Sequence, residues 1–244
     1  YKRLQREGQL ERDVDRLVRN DRIAWGASMI ACKDADAMVT GNIRHYTASI
    51  EKLKKVVDPR PGEEIFGMTM INSKGKTVLV ADTNVKDFPS AERLANVSKS
   101  CVRVARLFGF DPKVAFLSHS TFGKPISKNT KHVRDAIDIL KKEKVDFDFD
   151  GEMQPDVALN PIYQEIYPFS KIVGNANILI MPALHSAAIS TKLMKVFGGG
   201  KLIGPLLIGL GLPIEVAPLR ASTSEILNLA SIASYSSDVI DYSN

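Results

Sequence analysis

The stretch KLIGPLLIGLGLPIEVAPLRAST, residues 201–223, decides how this chain reads. An apolar run at 203–208 is broken by Gly204-Pro205 and followed by Gly209, Gly211 and Pro213. Such a run reads as a buried strand bounded by Gly/Pro punctuation. A polar loop follows, and Ser222-Thr223-Ser224-Glu225 is a capping box that opens a helix. Ligands of α/β proteins bind beyond the carboxyl ends of strands, so this loop has the address of a site. Its centre is Pro218-Leu219, which carries neither a side-chain donor nor a charge. The loop therefore reads two ways: as a working site, or as one whose chemistry has gone.

Working outward, the rest of the chain alternates strand-like and helix-like segments. Residues 2–19 have helical spacing at Leu10, Val14, Leu17 and Val18. Residues 24–31 and 37–40 read as short buried strands, and 45–57 as an amphipathic helix ended by DPRPG at 58–62. Residues 65–71 and 77–81 read as a hairpin joined by NSKGK. Ser90 caps a long helix that stops at Gly109. A strand at 114–117 leads into a polar loop at 118–130 and a helix running to about Lys144. Strands at 145–149 and 178–181 and a helix at 186–197 complete the series. The alternation implies an α/β fold with a mostly parallel sheet. The Pro/Gly break at 58–62 and the switch near Gly211–Pro213 are the candidate domain boundaries.

Bulk properties exclude several classes. The chain has 244 residues, 44% hydrophobic and 25% charged, which is ordinary for a globular protein with a substantial core. The net charge of +5 fits a solvated surface, and equally an anionic partner such as a phosphorylated cofactor. Nucleic acid is not expected, because aromatics are few and no basic block is interleaved with them. Residues 202–212 form the most apolar stretch, too short and too Gly-rich to span a membrane. Cys32 and Cys101 form no CxxC and read as buried, reduced thiols of a cytoplasmic protein. The opening Tyr1-Lys2-Arg3-Leu4-Gln5 already looks helical, so a piece of a longer polypeptide is expected.

Four segments could carry chemistry. Ser118, Ser120, Thr121 and Lys124 lie just beyond a strand and could wrap an anion, or form a plain Ser/Thr-rich turn. The spacing of a Walker loop is absent. In FDGEMQPD at 149–156 the acids could hold a divalent cation or act as a catalytic pair. Acidic complementation of a helix N-terminus is the favoured reading there, with Asp156 in that role. His45, His119, His132 and His185 are too scattered for zinc, so no metal site is expected. Gly198-Gly199-Gly200 follows a helix rather than preceding one and reads as its C-cap.

AFLSHSTFG at 115–123, DFDGEMQPDVALN at 148–160, YPFSKIVGNANILIMPALHSAAISTK at 167–192 and KLIGPLLIGLGLPIEVAPL at 201–219 together resemble the phosphate acetyltransferase family in order and spacing. ADAMVTG at 35–41, VDPRPGEEIFGM at 57–68 and VADTNVKDFPSAERLA at 80–95 are similar to one branch of it, the acetyltransferase-like C-terminal domain of bacterial multidomain malic enzymes.

The resemblance implies two α/β subdomains with an interdomain cleft, as in phosphate acetyltransferases and isocitrate dehydrogenase-like folds. Residues 1–60 plus 212–244 would form a discontinuous subdomain I, whose N-terminal part lies outside the chain, and 61–211 an inserted subdomain II. It implies a homodimer through subdomain II. It implies acetyl-CoA as ligand, with NADP and a divalent metal (Mg or Mn) bound outside this chain.

The family's catalytic Ser-Arg pair falls on Pro218 and Leu219. Its proposed base, an Asp, falls on Glu225, which could substitute chemically or only close the capping box. A second family arginine falls on Glu51. No catalytic residue is expected to survive; the alternatives are an active acyltransferase that uses Arg220 and Glu225, and a purely structural oligomerisation domain. Arg44, Tyr46, Ser118, Ser120, Thr121, Lys124, Gln154, Asp156, Asn160 and Arg220 remain as candidate acetyl-CoA or phosphate contacts, and the 154–160 and Asn175–Asn177 segments keep the family pattern.

Overall fold

A computed structural model describes residues 1–81, 88–125 and 128–240. The ADTNVKD portion of the resemblance therefore falls mostly outside the described residues, as do two residues of the polar loop.

The fold begins with a 3-10 turn, Leu4–Glu7, and helix α1 (Glu11–Asn20), which buries only Val14. Asp21 then caps helix α2 (Arg22–Ala31), its side chain accepting from the Ile23 and Ala24 amides. Residues 24–31 are thus helical, not a strand. Ile23, Ala27 and Ile30 recur at helical spacing and are buried, and a Cys32 at the helix end is exposed rather than buried. Strand β1 (Met38–Gly41) and helix α3 (Tyr46–Leu53) follow.

Strands β2 (Phe66–Ser73) and β3 (Lys76–Ala81) form the expected hairpin, with Ser73 opposite Lys76. Lys74 and Gly75, both at positive φ, make the two-residue turn that matches strand twist. Helix α4 (Ala91–Leu107) is capped by the Ser90 hydroxyl, which accepts from the Arg93 amide. Then come β4 (Lys113–Leu117), α5 (Lys131–Glu143) and β5 (Asp148–Met153). The last lies three to four residues beyond the stretch expected at 145–149. β5 pairs only with β4, at the edge of the sheet, and an edge tolerates the acids that made DFDGEM look unlike a strand. Short helix α6 (Pro155–Leu159), strand β6 (Ile178–Ile180) and helix α7 (Leu184–Phe197) complete this part.

Among strands β2 to β6 the order in the sheet is β5-β4-β6-β3-β2, parallel except for the β2–β3 hairpin. Leu79, Ile178 and Val114 lie in one row across it and Val80, Leu179 and Ala115 in the next, and all six are buried. Burial of both faces explains why these strands read as continuous apolar runs. The second row belongs to a core shared with Leu117, Met153, Ala158 and Ala187.

Strand β7 (Lys201–Ile208) carries the chain onward to β8 (Ile214–Ala217) and helix α8 (Thr223–Val239). β8 pairs in parallel with β1, Met38 opposite Ile214 and Gly41 opposite Ala217. The described chain divides into two units: Tyr1–Ile65 with Ile203–Asn244, and Phe66–Leu202. These limits fall five residues after the 60/61 and nine residues before the 211/212 expected. Residues 203–211 are tied to the first unit by Leu207 donating to Glu215, Arg60 to Gly209 and Gly211 to Asp58.

Candidate functional site

In the first unit the candidate residues gather around the carboxyl ends of β1 and β8. Gly41, at φ 105, lets the strands close together, because a Cβ there would meet the Ala217 carbonyl. Beyond the strands, the Asn42 amide donates to Ala217 O (3.1 Å) and the Arg220 amide donates back to Asn42 O (3.0 Å). Asn42 and Arg220 both sit at positive φ, at 67° and 59°. The left-handed region is uncommon outside glycine and tends to persist where the surroundings enforce it. Asn42 Oδ1 is buried without a hydrogen-bond partner. Pro218 is half-buried, while Leu219 and Arg220 are exposed.

Neighbouring positions are already engaged. Arg44 donates to Asp21 Oδ2 at 3.1 Å, and Lys52 approaches the same carboxylate at 3.6 Å. Burial works against the Asp21 charge, yet Arg44 and the amides of Ala24 and Ile23 hold its pKa below the ordinary carboxylate range. Tyr46 is buried in the first turn of α3, its hydroxyl 3.5 Å from Pro205 O. Glu51 lies on the exposed side of α3. Glu225 closes the capping box: its carboxylate accepts from the Ser222 amide (2.8 Å) and hydroxyl (2.9 Å), and its own amide donates to Ser222 Oγ (3.3 Å). A carboxylate held in this way has little freedom to act as a base.

In the second unit, Ser118, Ser120 and Thr121 are all buried at the end of β4. The turn closes largely on itself. Ser118 N donates to Met153 O, Phe122 N to Glu152 O, and Thr121 and Lys124 exchange backbone hydrogen bonds. Ser118 Oγ lies 3.3 Å from Ser120 Oγ, and the Ser120 hydroxyl donates to Glu152 Oε1 at 2.8 Å. Gln154 spans the turn, its amide donating to Thr121 Oγ1 and its side chain to His119 O. Asp156 accepts from the Val157 amide at the start of α6, and Asn160 caps the 3-10 turn Pro161–Gln164. Asn177 ties β6 to the start of β4 through Lys113 N and Asp111 O. Lys124 is exposed.

Two buried carboxyl groups carry more of the electrostatics than the sequence alone revealed. Glu152 is almost wholly buried and receives Arg134 Nη1 at 3.0 and 3.2 Å, besides Ser120. Arg134 also donates to Thr130 Oγ1 at 2.6 Å. A buried charge needs such a partner, and only the acid of this pair stood out in the sequence, as part of DGEM. Glu215, on β8, is fully buried and accepts from Leu207 N at 2.9 Å. Burial pushes its pKa up to about 8, against the pull of that single bond, so it is mostly protonated at neutral pH. Among the described residues, no three His, Cys, Asp or Glu side chains gather as a metal site.

Residues 1–234 match the phosphate acetyl/butaryl transferase family, to which this chain belongs. It is 47% identical over 235 residues to an NADP-dependent malic enzyme of Rhizobium meliloti (strain 1021), across 96% of this chain and 31% of that protein. It is 28% identical over 229 residues to the phosphate acetyltransferase of Bacillus subtilis (strain 168), across 93% and 71% of the two. A phosphotransacetylase from Streptococcus pyogenes superposes with a TM-score of 0.82 at 29% identity, covering 88% of this chain and 67% of that one. The chain thus spans about a third of the malic enzyme it resembles.

Proposed function

We propose that this chain is the acetyl-CoA-binding, catalytically degenerate transferase-like part of an NADP-dependent malic enzyme, where it regulates rather than reacts. One observation carries the reading: Pro218 and Leu219 occupy the loop after β8, at the positions where the family resemblance implies a serine and an arginine. Transfer between CoA and phosphate needs a cation for the phosphate, a base for the thiol and donors for the developing oxyanion. Proline and leucine supply none of these, and Glu225 is held in its cap. Losing one preorganised donor costs about 3 kcal/mol of transition-state stabilisation, so losing both groups removes turnover by several powers of ten. Binding of the much larger CoA moiety depends on other contacts and need not fall with it. Arg220 and the unpartnered Asn42 oxygen, both in the first unit, supply polar groups for such a ligand.

The parent protein would decarboxylate malate oxidatively to pyruvate, using NADP and Mg or Mn at sites outside this chain, in the cytoplasm. Acetyl-CoA would act on that distant site only through different affinities for two conformational states. A homodimer through the second unit is the expected assembly. In support, α7 exposes Ile189, Leu193, Val196 and Phe197, a stripe at helical spacing that a second copy would cover.

The regulatory reading is tested by following NADPH formation from malate with and without acetyl-CoA, in the full-length protein and in one lacking this chain. Acetyl-CoA is expected to change the rate only when the chain is present. A rate indifferent to acetyl-CoA in both, with altered assembly on deletion, would replace regulation by a purely structural role.

A further inference from the structure

Unit 2 contains a cavity of about 220 Å³ that neither the polar turn nor the β8 loop occupies. Its floor is the buried sheet row and its continuation: Ile71, Val80, Leu117, Leu179 and Met181. α7 lies over it, and this helix buries only Ala187 and Thr191 of its fourteen residues.

Water is a poor occupant. A buried water needs two to four polar partners, and the floor offers only hydrocarbon. The Thr191 hydroxyl on the wall is already donated to Ala187 O at 2.7 Å. Close-packed interiors leave few voids larger than a water, and a dry cavity of about 150 Å³ already takes up benzene. By the same filling, this one has room for about eight carbons. The rim differs from the floor. Ser73, Ser190 and Met194 are partly exposed there, and among the described residues Lys76 is the charged one in the lining. The Asn175 side chain, oriented to donate to Leu159 O (2.6 Å), accepts from Lys76 Nζ at 3.0 Å and holds the ammonium in place.

We propose that this pocket binds a short anionic amphiphile, a saturated carboxylate of about eight carbons, with its chain on the sheet row and its head group at Lys76. The site lies within unit 2 and does not depend on the acetyl-CoA reading.

Octanoate is the probe, titrated into the chain carrying ¹³C-methyl methionine. The Met181 and Met194 methyl resonances should shift saturably, while Met29 and Met38 of the other unit stay fixed. Ser190→Phe, at a half-exposed position of α7, should fill the pocket and abolish the shift while leaving the other methionine resonances in place. Lys76→Gln should weaken octanoate by about twofold to fivefold, the range of a partly exposed charge pair, and leave 1-octanol unaffected. Absence of a saturable shift, or equal shifts at all the methionines, would overturn the site. Equal loss of octanoate and octanol affinity in Lys76→Gln would overturn the head-group assignment.

Discussion

Pro218 and Leu219 bring neither a side-chain donor nor a charge to a loop whose backbone is held in place, with Arg220 N on Asn42 O and Ala221 N on Pro218 O. The proposed change is therefore chemical rather than architectural. Glu225 illustrates the same division, since its carboxylate serves the α8 N-terminus. Replacing Ser222 by Ala should cost about 1 kcal/mol of stability, the usual worth of an N-cap, read from urea unfolding, and should leave acetyl-CoA affinity unchanged. Glu215 gives a pH signature. Its pKa rises from 4.5 to about 8 on folding, so between those values the native state holds a proton that the unfolded chain has released. Stability attributable to this group is full below 4.5 and is lost as pH climbs toward 8, at up to about 1.4 kcal/mol per pH unit. Glu215→Gln, which keeps an acceptor for Leu207 N, should flatten that slope in urea titrations at pH 6 and pH 8.5. An unchanged slope would show that the carboxyl is not buried as a neutral acid. This group was hard to read in advance: PIEVAP looks like an outward-facing Glu between apolar neighbours, and β8 turned out to be buried along its whole length.

At the scale of elements, most of the sheet was legible because parallel strands buried on both faces leave uninterrupted apolar runs. Two errors have specific causes. The segment AWGASMIA at 24–31 is apolar except for Ser28 and mimics a strand, whereas the decisive signal lay three residues before it, in the Asp21 cap. β5 carries Asp148 and Asp150 at the edge of the sheet, while its third acid, Glu152, is buried against Arg134 and Ser120. The polar turn after β4 was found, but not its anchor. Arg134 of α5 reaches across to Glu152 of β5 through tertiary contact alone, which no local pattern encodes. That link joins helix, strand and turn. Arg134→Met should therefore destabilise the chain by about 3 kcal/mol, because it strands a buried carboxylate. Adding Glu152→Gln in the same chain should recover a good part of the loss. Purely additive losses in a double-mutant cycle would contradict the coupling.

On the scale of the whole molecule, the family assignment covers residues 1–234, and the chain divides into two units, Tyr1–Ile65 with Ile203–Asn244 and Phe66–Leu202. Assembly is testable there: Leu193→Asp with Phe197→Asp, both on the exposed side of α7, should convert a dimer to a monomer by light scattering without loss of helical signal. The candidate site was legible as a set of positions, since the transferase pattern is continuous in sequence. The proposed loss of chemistry rests on residue identity at Pro218 and Leu219, which the sequence displays directly. The state of the remaining polar groups was not, since their partners are set by packing. The central claim is that a ligand site outlived its reaction. Its most direct test is to measure acetyl-CoA binding by calorimetry and acetyl phosphate formation from acetyl-CoA and phosphate on one preparation of a polypeptide that includes this chain. The account predicts saturable binding heat with no acetyl phosphate above the protein-free control. Absence of binding, or turnover that Arg220→Ala abolishes, would contradict it.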